Sequence, residues 1–156
     1  MNTVLYHRAC DDGFVAACCA AWVLGGRGGE AEFWPCEHGQ PLPTEAAIDG
    51  ADVYLLDFAF SIETIRDLVR RAATFTWRDH HATSRGTAEA LATDLGCSVP
   101  GSLWSERRLD FCAGVEEQIL VVHDQDRSGA GLARDVLCDG FTLYRPTYRG
   151  SMTLIV

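Results

Sequence analysis

The 156 residues are 47% apolar and 22% charged, the composition of one folded domain rather than of a disordered chain. Thirteen Lys and Arg against 22 Asp and Glu leave a formal charge of -9. That balance argues against a broad basic surface gripping long nucleic acid, but not against an enzyme that meets a short phosphorylated substrate through metal ions. No apolar run approaches the roughly 20 residues of a membrane span, so no membrane partner is expected. Met1-Asn2-Thr3-Val4 lacks the basic and apolar regions of a secretion leader. The seven cysteines form no C-x-x-C pair, so they read as reduced, small hydrophobes of a cytoplasmic protein.

In chain order, Thr3–Tyr6 reads as a strand running into His7, and Phe14–Leu24 as a helix apolar or small all round, suited to burial against a sheet. The glycines Gly25, Gly26, Gly28 and Gly29 follow that helix; a phosphate cradle would stand between strand and helix, so they read as a loop. Ala31–Trp34 is a weaker strand ending at Pro35. Val53–Leu56 is a strand running into Asp57. Ser61 is an N-cap for a helix with Ile62, Ile65, Leu68 and Val69 on one face and Arg66, Arg70 and Arg71 on the other. Thr74–Trp77 leads through Arg78 to Asp79, His80 and His81, and Thr87–Leu95 is a short helix stopped by Gly96.

Residues 97 to 117 show no clear period and read as a lid or irregular insertion, in which Trp104, Arg107 and Arg108 could face a substrate or simply solvent. Ile119–Val122 is a strand running into His123, Asp124 and Asp126, and Ser128–Cys138 is the last helix. Residues 141–156 form a divergent tail, suited to a terminal hairpin around Arg149-Gly150-Ser151, after a domain spanning 1–140.

Strands alternating with helices predict an α/β fold: a mainly parallel sheet of about five strands with helices on both faces. Ligands bind beyond the carboxyl ends of such strands. Four of the strands end in His or Asp, so one sheet edge collects metal-capable side chains. Taken singly, each has a plain structural alternative. Asp79-His80-His81 could be a polar surface turn, and Asp11 or Asp12 could cap a helix, although capping leaves His7 unexplained. Asp57, after four apolar residues, needs a cation, whether a metal or an Arg, to offset its desolvation.

With these residues in place, the sequence resembles the DHH phosphoesterase family. His7 through Gly13 matches the first motif, Asp57 after its apolar strand the second, and Asp79-His80-His81 the third. Asp126-Arg127-Ser128-Gly129-Ala130-Gly131 extends the likeness, which covers residues 4 to 138. The resemblance implies a hydrolase that uses two divalent ions, commonly Mn2+, on a small nucleotide or short oligonucleotide. It implies metal binding by His7, by one or both of Asp11 and Asp12, by a bridging Asp57 and by His80. His81, with Asp79, would serve the phosphoryl group or the leaving oxygen. Ser128, Gly129 and Gly131 would lie against substrate. Two ions about 4 Å apart can share a hydroxide and neutralise the developing charge.

The chain departs from the family pattern in two places. Cys10 stands where many members carry Asp; thiolate is softer than manganese prefers, so carboxylates, Asp12 first, are expected to ligate. The family usually adds a later metal-binding Asp and a substrate domain, which residues 141–156 do not resemble. His123, Asp124 or Asp126 could stand in for that Asp. The alternatives are a truncated or frame-shifted product, a compact relative whose site a homo-oligomer completes, and an incomplete domain that binds metal or nucleotide without turnover. A pyrophosphatase of the same superfamily is disfavoured by the Asp-Gly-Phe opening of the first helix and the short chain.

Overall fold

The computed structural model describes residues 1–26, 29–97, 108–113 and 118–138. Its centre is a six-stranded sheet in the order β2-β1-β3-β4-β6-β5. The strands are β1 (Asn2–His7), β2 (Ala31–Cys36), β3 (Asp52–Leu56), β4 (Thr74–Asp79), β5 (Arg108–Ala113) and β6 (Ile119–Asp124). Five of them run parallel, and β5 joins antiparallel at the edge of β6. The α/β fold and mainly parallel sheet are as expected.

Four helices, α1 (Asp11–Gly26), α2 (Ile62–Arg71), α3 (Arg85–Asp94) and α4 (Gly129–Cys138), divide between the two faces. On one face α1 packs beside α4 and encloses Val4, Tyr54, Leu56, Ala16, Ala20 and Ala133. On the other, α2 and α3 cover a larger core that includes Leu5, Leu55, Ile65, Phe75, Trp77 and Leu91. Alternation along each parallel strand thus feeds two apolar layers, as a sheet covered on both faces requires.

Several local expectations hold for identifiable reasons. Ser61 caps α2, its hydroxyl oxygen accepting from the Thr64 amide. Gly96, at φ 65°, takes the left-handed turn that ends α3. Pro35 lies inside β2, an edge strand where a missing N–H costs little.

Two differences stand out, in residues 108–113 and in α1. Residues 108–113 form the β5 strand rather than an irregular insertion; its period-two pattern is only six residues long and is blurred by Cys112. Trp104, Arg107 and the Arg108 side chain, like residues 139–156 with the expected tail, lie outside the described residues. Second, α1 is not buried all round: its apolar sequence leaves Phe14 at 61% and Trp22 at 72% exposure on the face away from the sheet. No described helix is long and apolar enough to cross a membrane.

Candidate metal centre

Strand order reverses between β1 and β3, since β1 leads outward to β2 and the chain then returns to β3 on its other side. The crevice outside the strand ends is the ligand position of such sheets. His7 closes β1 and Asp57 follows β3, so the two flank this point, while Asp79-His80-His81 ends the neighbouring β4.

Asp57 is fully buried. Its amide donates to the Arg78 carbonyl at 2.8 Å, and the Trp77 indole donates to the Phe58 carbonyl at 2.9 Å, so backbone bonds on both sides fix its position. Its φ of 55° is left-handed, a conformation uncommon outside glycine and somewhat more accessible to Asp. Such strain concentrates where structure over-determines a functional residue. Neither carboxylate oxygen receives a well-aligned hydrogen bond. The Arg partner of a structural ion pair is not what faces them: the recorded ion pairs are to His80 Nε2 at 3.1 Å and His7 Nδ1 at 3.8 Å. Burial raises the Asp57 pKa, against the opposing pull of the Cys10 thiol and of His81 and His80.

Asp57 belongs to two groups of donor atoms mutually within 4.8 Å: His7, Cys10 and Asp57 on one side, and Asp57, His80 and His81 on the other. One carboxylate reaching both groups is the arrangement a bridging ligand needs. The donors are imidazole, carboxylate and thiol, a set suited to first-row divalent metals.

Two glycines let helices approach this closely. A Cβ on Gly13 would stand 2.4 Å from the His7 carbonyl oxygen, and one on Gly129 would stand 2.1 Å from Asp57 Oδ1. Only a residue without a Cβ admits the starts of α1 and α4 here.

Asp12 is held from the opposite side. Its carboxylate accepts from the Gly129 amide at 3.0 Å and the Ala130 amide at 3.4 Å, capping α4 from another element. Its Oδ2 still lies 3.6 Å from His80 Nε2, so it adjoins the second donor group. Asp11, by contrast, is exposed at the head of α1 and stands outside both groups, while Cys10 stands within one.

Asp79 is buried and supports the turn it begins. Its Oδ1 accepts from the His80 amide, the His81 amide and His81 Nδ1 at 2.7, 3.1 and 2.7 Å. Burial opposes ionisation of Asp79, but the hydrogen bonds from His81 and Ser84 outweigh it and hold the carboxyl below its usual range. The same contact with Asp79 raises the His81 pKa. A carboxylate on Nδ1 fixes the proton there and leaves Nε2 free for chemistry. Asp79 therefore orients His81.

His123, one of the candidates to replace a later ligand, pairs with Asp79 across the β4–β6 ladder, and its Nε2 donates to the His81 carbonyl at 2.8 Å. Asp124 Oδ1 accepts from the Asp126 amide at 3.0 Å. Among the described residues, none of His123, Asp124 and Asp126 joins either donor group. Ser128 caps α4, its Oγ accepting from the Gly131 amide at 3.0 Å; Gly129 meets Asp57 itself. The three predicted substrate-side residues thus build the helix start beside the site.

His38 was not among the residues singled out from the sequence. Its ring lies 5.1 Å from that of His7, 6.5 Å from that of His81 and 4.7 Å from Phe58. Burial lowers the His7 pKa, against the opposing pull of Asp57 and with a smaller push from the neighbouring His38 and His81. The signal for His38 was available: it lies two residues past a parallel strand end, on the edge that carries the other polar ends. Pro35, which interrupts the apolar run of β2 before its true end at Cys36, masks it. The chain matches no family model, no curated protein and no solved structure.

Proposed function

We propose that this chain is a metal-dependent phosphoesterase of the DHH type, hydrolysing phosphoester bonds in a small nucleotide or short oligonucleotide with two divalent ions, manganese foremost. The observation that carries the reading is Asp57: buried, without a well-aligned hydrogen bond on either oxygen, and common to two donor groups. A carboxylate in that position is costly unless cations face it.

Bound divalent ions would supply Lewis acidity toward the phosphoryl oxygens and an activated water. The chain supplies the rest. His7 with Cys10, and His80 across from them, offer donor atoms on the two sides of Asp57. Asp12 steadies the start of α4 and adjoins His80. His81, its Nδ1 tied to Asp79, presents Nε2 at the site and can give a proton to the leaving oxygen there. The net charge of -9 favours short substrates over long nucleic acid, and Cys10, Cys18, Cys19, Cys36 and Cys97, none of them in a disulfide, suit a reducing cytoplasm.

The test is hydrolysis of bis(p-nitrophenyl) phosphate and of a diribonucleotide with added manganese. Metal-dependent turnover that His80→Ala abolishes is expected; folded protein without turnover overturns the reading. One observation favours a second reading, a metal- or nucleotide-binding domain without turnover: among the described residues no carboxylate from the β6 end enters the site. Calorimetry separates the two, since two tight manganese ions fit the enzyme and one weak ion fits the binding domain.

A further inference from the structure

A cavity of about 600 Å³ opens beside the donor groups and meets them at His81, with Asp79 next to it. That volume lies within the roughly 300–1,000 Å³ of small-molecule sites. One wall is the segment after β2, with the exposed His38 ring lying over Phe58 at 4.7 Å and tilted by 34°. The other walls are the start of α2, with Ser61 and Thr64, and the start of α3, with Thr87. Gln40 adds an amide.

What this lining lacks is informative. None of the described residues that form it is Lys or Arg, and its only carboxylate is Asp79, which is turned to His81. Arg8, close by in sequence to the site, pairs with Glu37 at 3.5 Å, and Arg85, next to the lining residue Ser84, pairs with Glu89 at 2.9 Å. A second or third phosphate placed here would lose its hydration and, among the described lining residues, meet no Lys or Arg to offset it. A flat, uncharged ring with hydroxyl and amine groups meets an imidazole face, hydroxyls and an amide instead.

Resting on the phosphoesterase reading, we propose that this cavity receives the nucleoside attached to the scissile phosphate, and that it selects nucleosides carrying a single phosphoester over polyphosphate chains. The phosphoryl group sits at the donor groups and the base and sugar extend over His38 toward Thr87. His38 is then a substrate-contacting residue that sets specificity.

The deciding measurement is an amide-resonance titration of the metal-free protein with adenosine, a probe with no phosphate. Saturable shifts at millimolar adenosine, confined to residues 38–41, 58–64 and 83–87 and lost in Thr87→Trp, are expected. Absence of saturable shifts in those segments overturns the proposal, as does an unchanged response in a folded Thr87→Trp variant. With manganese, a diribonucleotide should be cleaved in preference to tripolyphosphate, and His38→Ala should raise its KM by about tenfold with a smaller change in kcat. Preference for tripolyphosphate also overturns it. The two readings fail separately: turnover of bis(p-nitrophenyl) phosphate without adenosine binding removes the pocket alone, and adenosine binding without any turnover removes the enzyme alone.

Discussion

Gly129 opens α4 directly against the carboxylate of Asp57, so closely that a Cβ would stand 2.1 Å from Oδ1 and 2.6 Å from Cγ. The contact joins the last described helix to the end of β3 and leaves Asp57 no room to turn away. Gly129→Ala must therefore push either α4 or the carboxylate aside. We expect a loss of about 1–3 kcal/mol in the metal-free protein, the usual cost of overpacking, and weaker manganese binding because Asp57 is displaced. Gly86→Ala is the internal comparison: nothing lies within 4 Å of its Cβ, and a neutral change or a gain of up to about 1 kcal/mol is expected within α3. Chelator-treated thermal melts and calorimetry read both. Equal melting of the two variants would contradict the packing argument.

Asp57→Asn tests the burial itself. Burial raises the Asp57 pKa in the folded chain, so the folded state binds this proton more tightly than the unfolded one. Stability from that source is present below the ordinary carboxyl value of about 4 and is lost as pH rises through the raised folded value. Asparagine keeps the shape and removes the charge. In chelator, the variant should match wild type near pH 4 and exceed it by about 1–2 kcal/mol at pH 8, a trade of stability for function. With manganese the order reverses. Melting curves across that range suffice; a variant no more stable than wild type at pH 8 without metal would mean that Asp57 carries no desolvation cost.

The sequence made this site partly legible because a polar residue directly after a buried apolar run is costly, and such runs precede His7, Asp57, the Asp79 turn and His123. Parallel topology then collects strand ends on one edge without further information. Other features depended on geometry that a linear reading lacks. Helix α1 begins at Asp11, which turns that carboxylate to solvent, leaves Cys10 beside His7 and directs Asp12 to α4. His38 follows an edge strand whose end is masked by Pro35, and β5 is a six-residue antiparallel strand with too few alternations to recognise. The exposure of Phe14 and Trp22 was missed because an all-apolar helix carries no amphipathic signal to say which side is free.

The bond between Asp79 and His81 gives a pH signature of its own. The folded Asp79 pKa is depressed, so its contribution is present above the ordinary carboxyl value and lost as pH falls through the folded one. The folded His81 pKa is raised, so its contribution is complete below the ordinary imidazole value and lost as pH rises through the folded one. The pair therefore stabilises most between about pH 4 and pH 6.5. Asp79→Asn keeps an acceptor for the backbone amides but loses the charge-assisted bond. In chelator it should cost about 2 kcal/mol within that window and less at pH 9. A difference from wild type that stays constant from pH 5 to pH 9 would show that His81 does not share the proton linkage.

If the first donor group holds an ion as proposed, Cys10 sets which ion it prefers. Its sulfur groups with His7 and Asp57, whereas Asp11 stands outside, so sulfur occupies a position where carboxylate would suit manganese better. Cys10→Asp should strengthen manganese binding and weaken zinc binding, each by about tenfold or more, and Cys10→Ser should weaken zinc binding alone. Alkylation offers a reading independent of affinity. Bound zinc should slow iodoacetamide modification of Cys10 while leaving the exposed Cys18 reactive. Cys36 should resist at every metal concentration, because burial pushes its thiol up to about 11. If Cys10→Ser leaves both affinities unchanged and zinc gives no protection, carboxylates alone hold the ions and Asp12, through its approach to His80, becomes the stronger candidate.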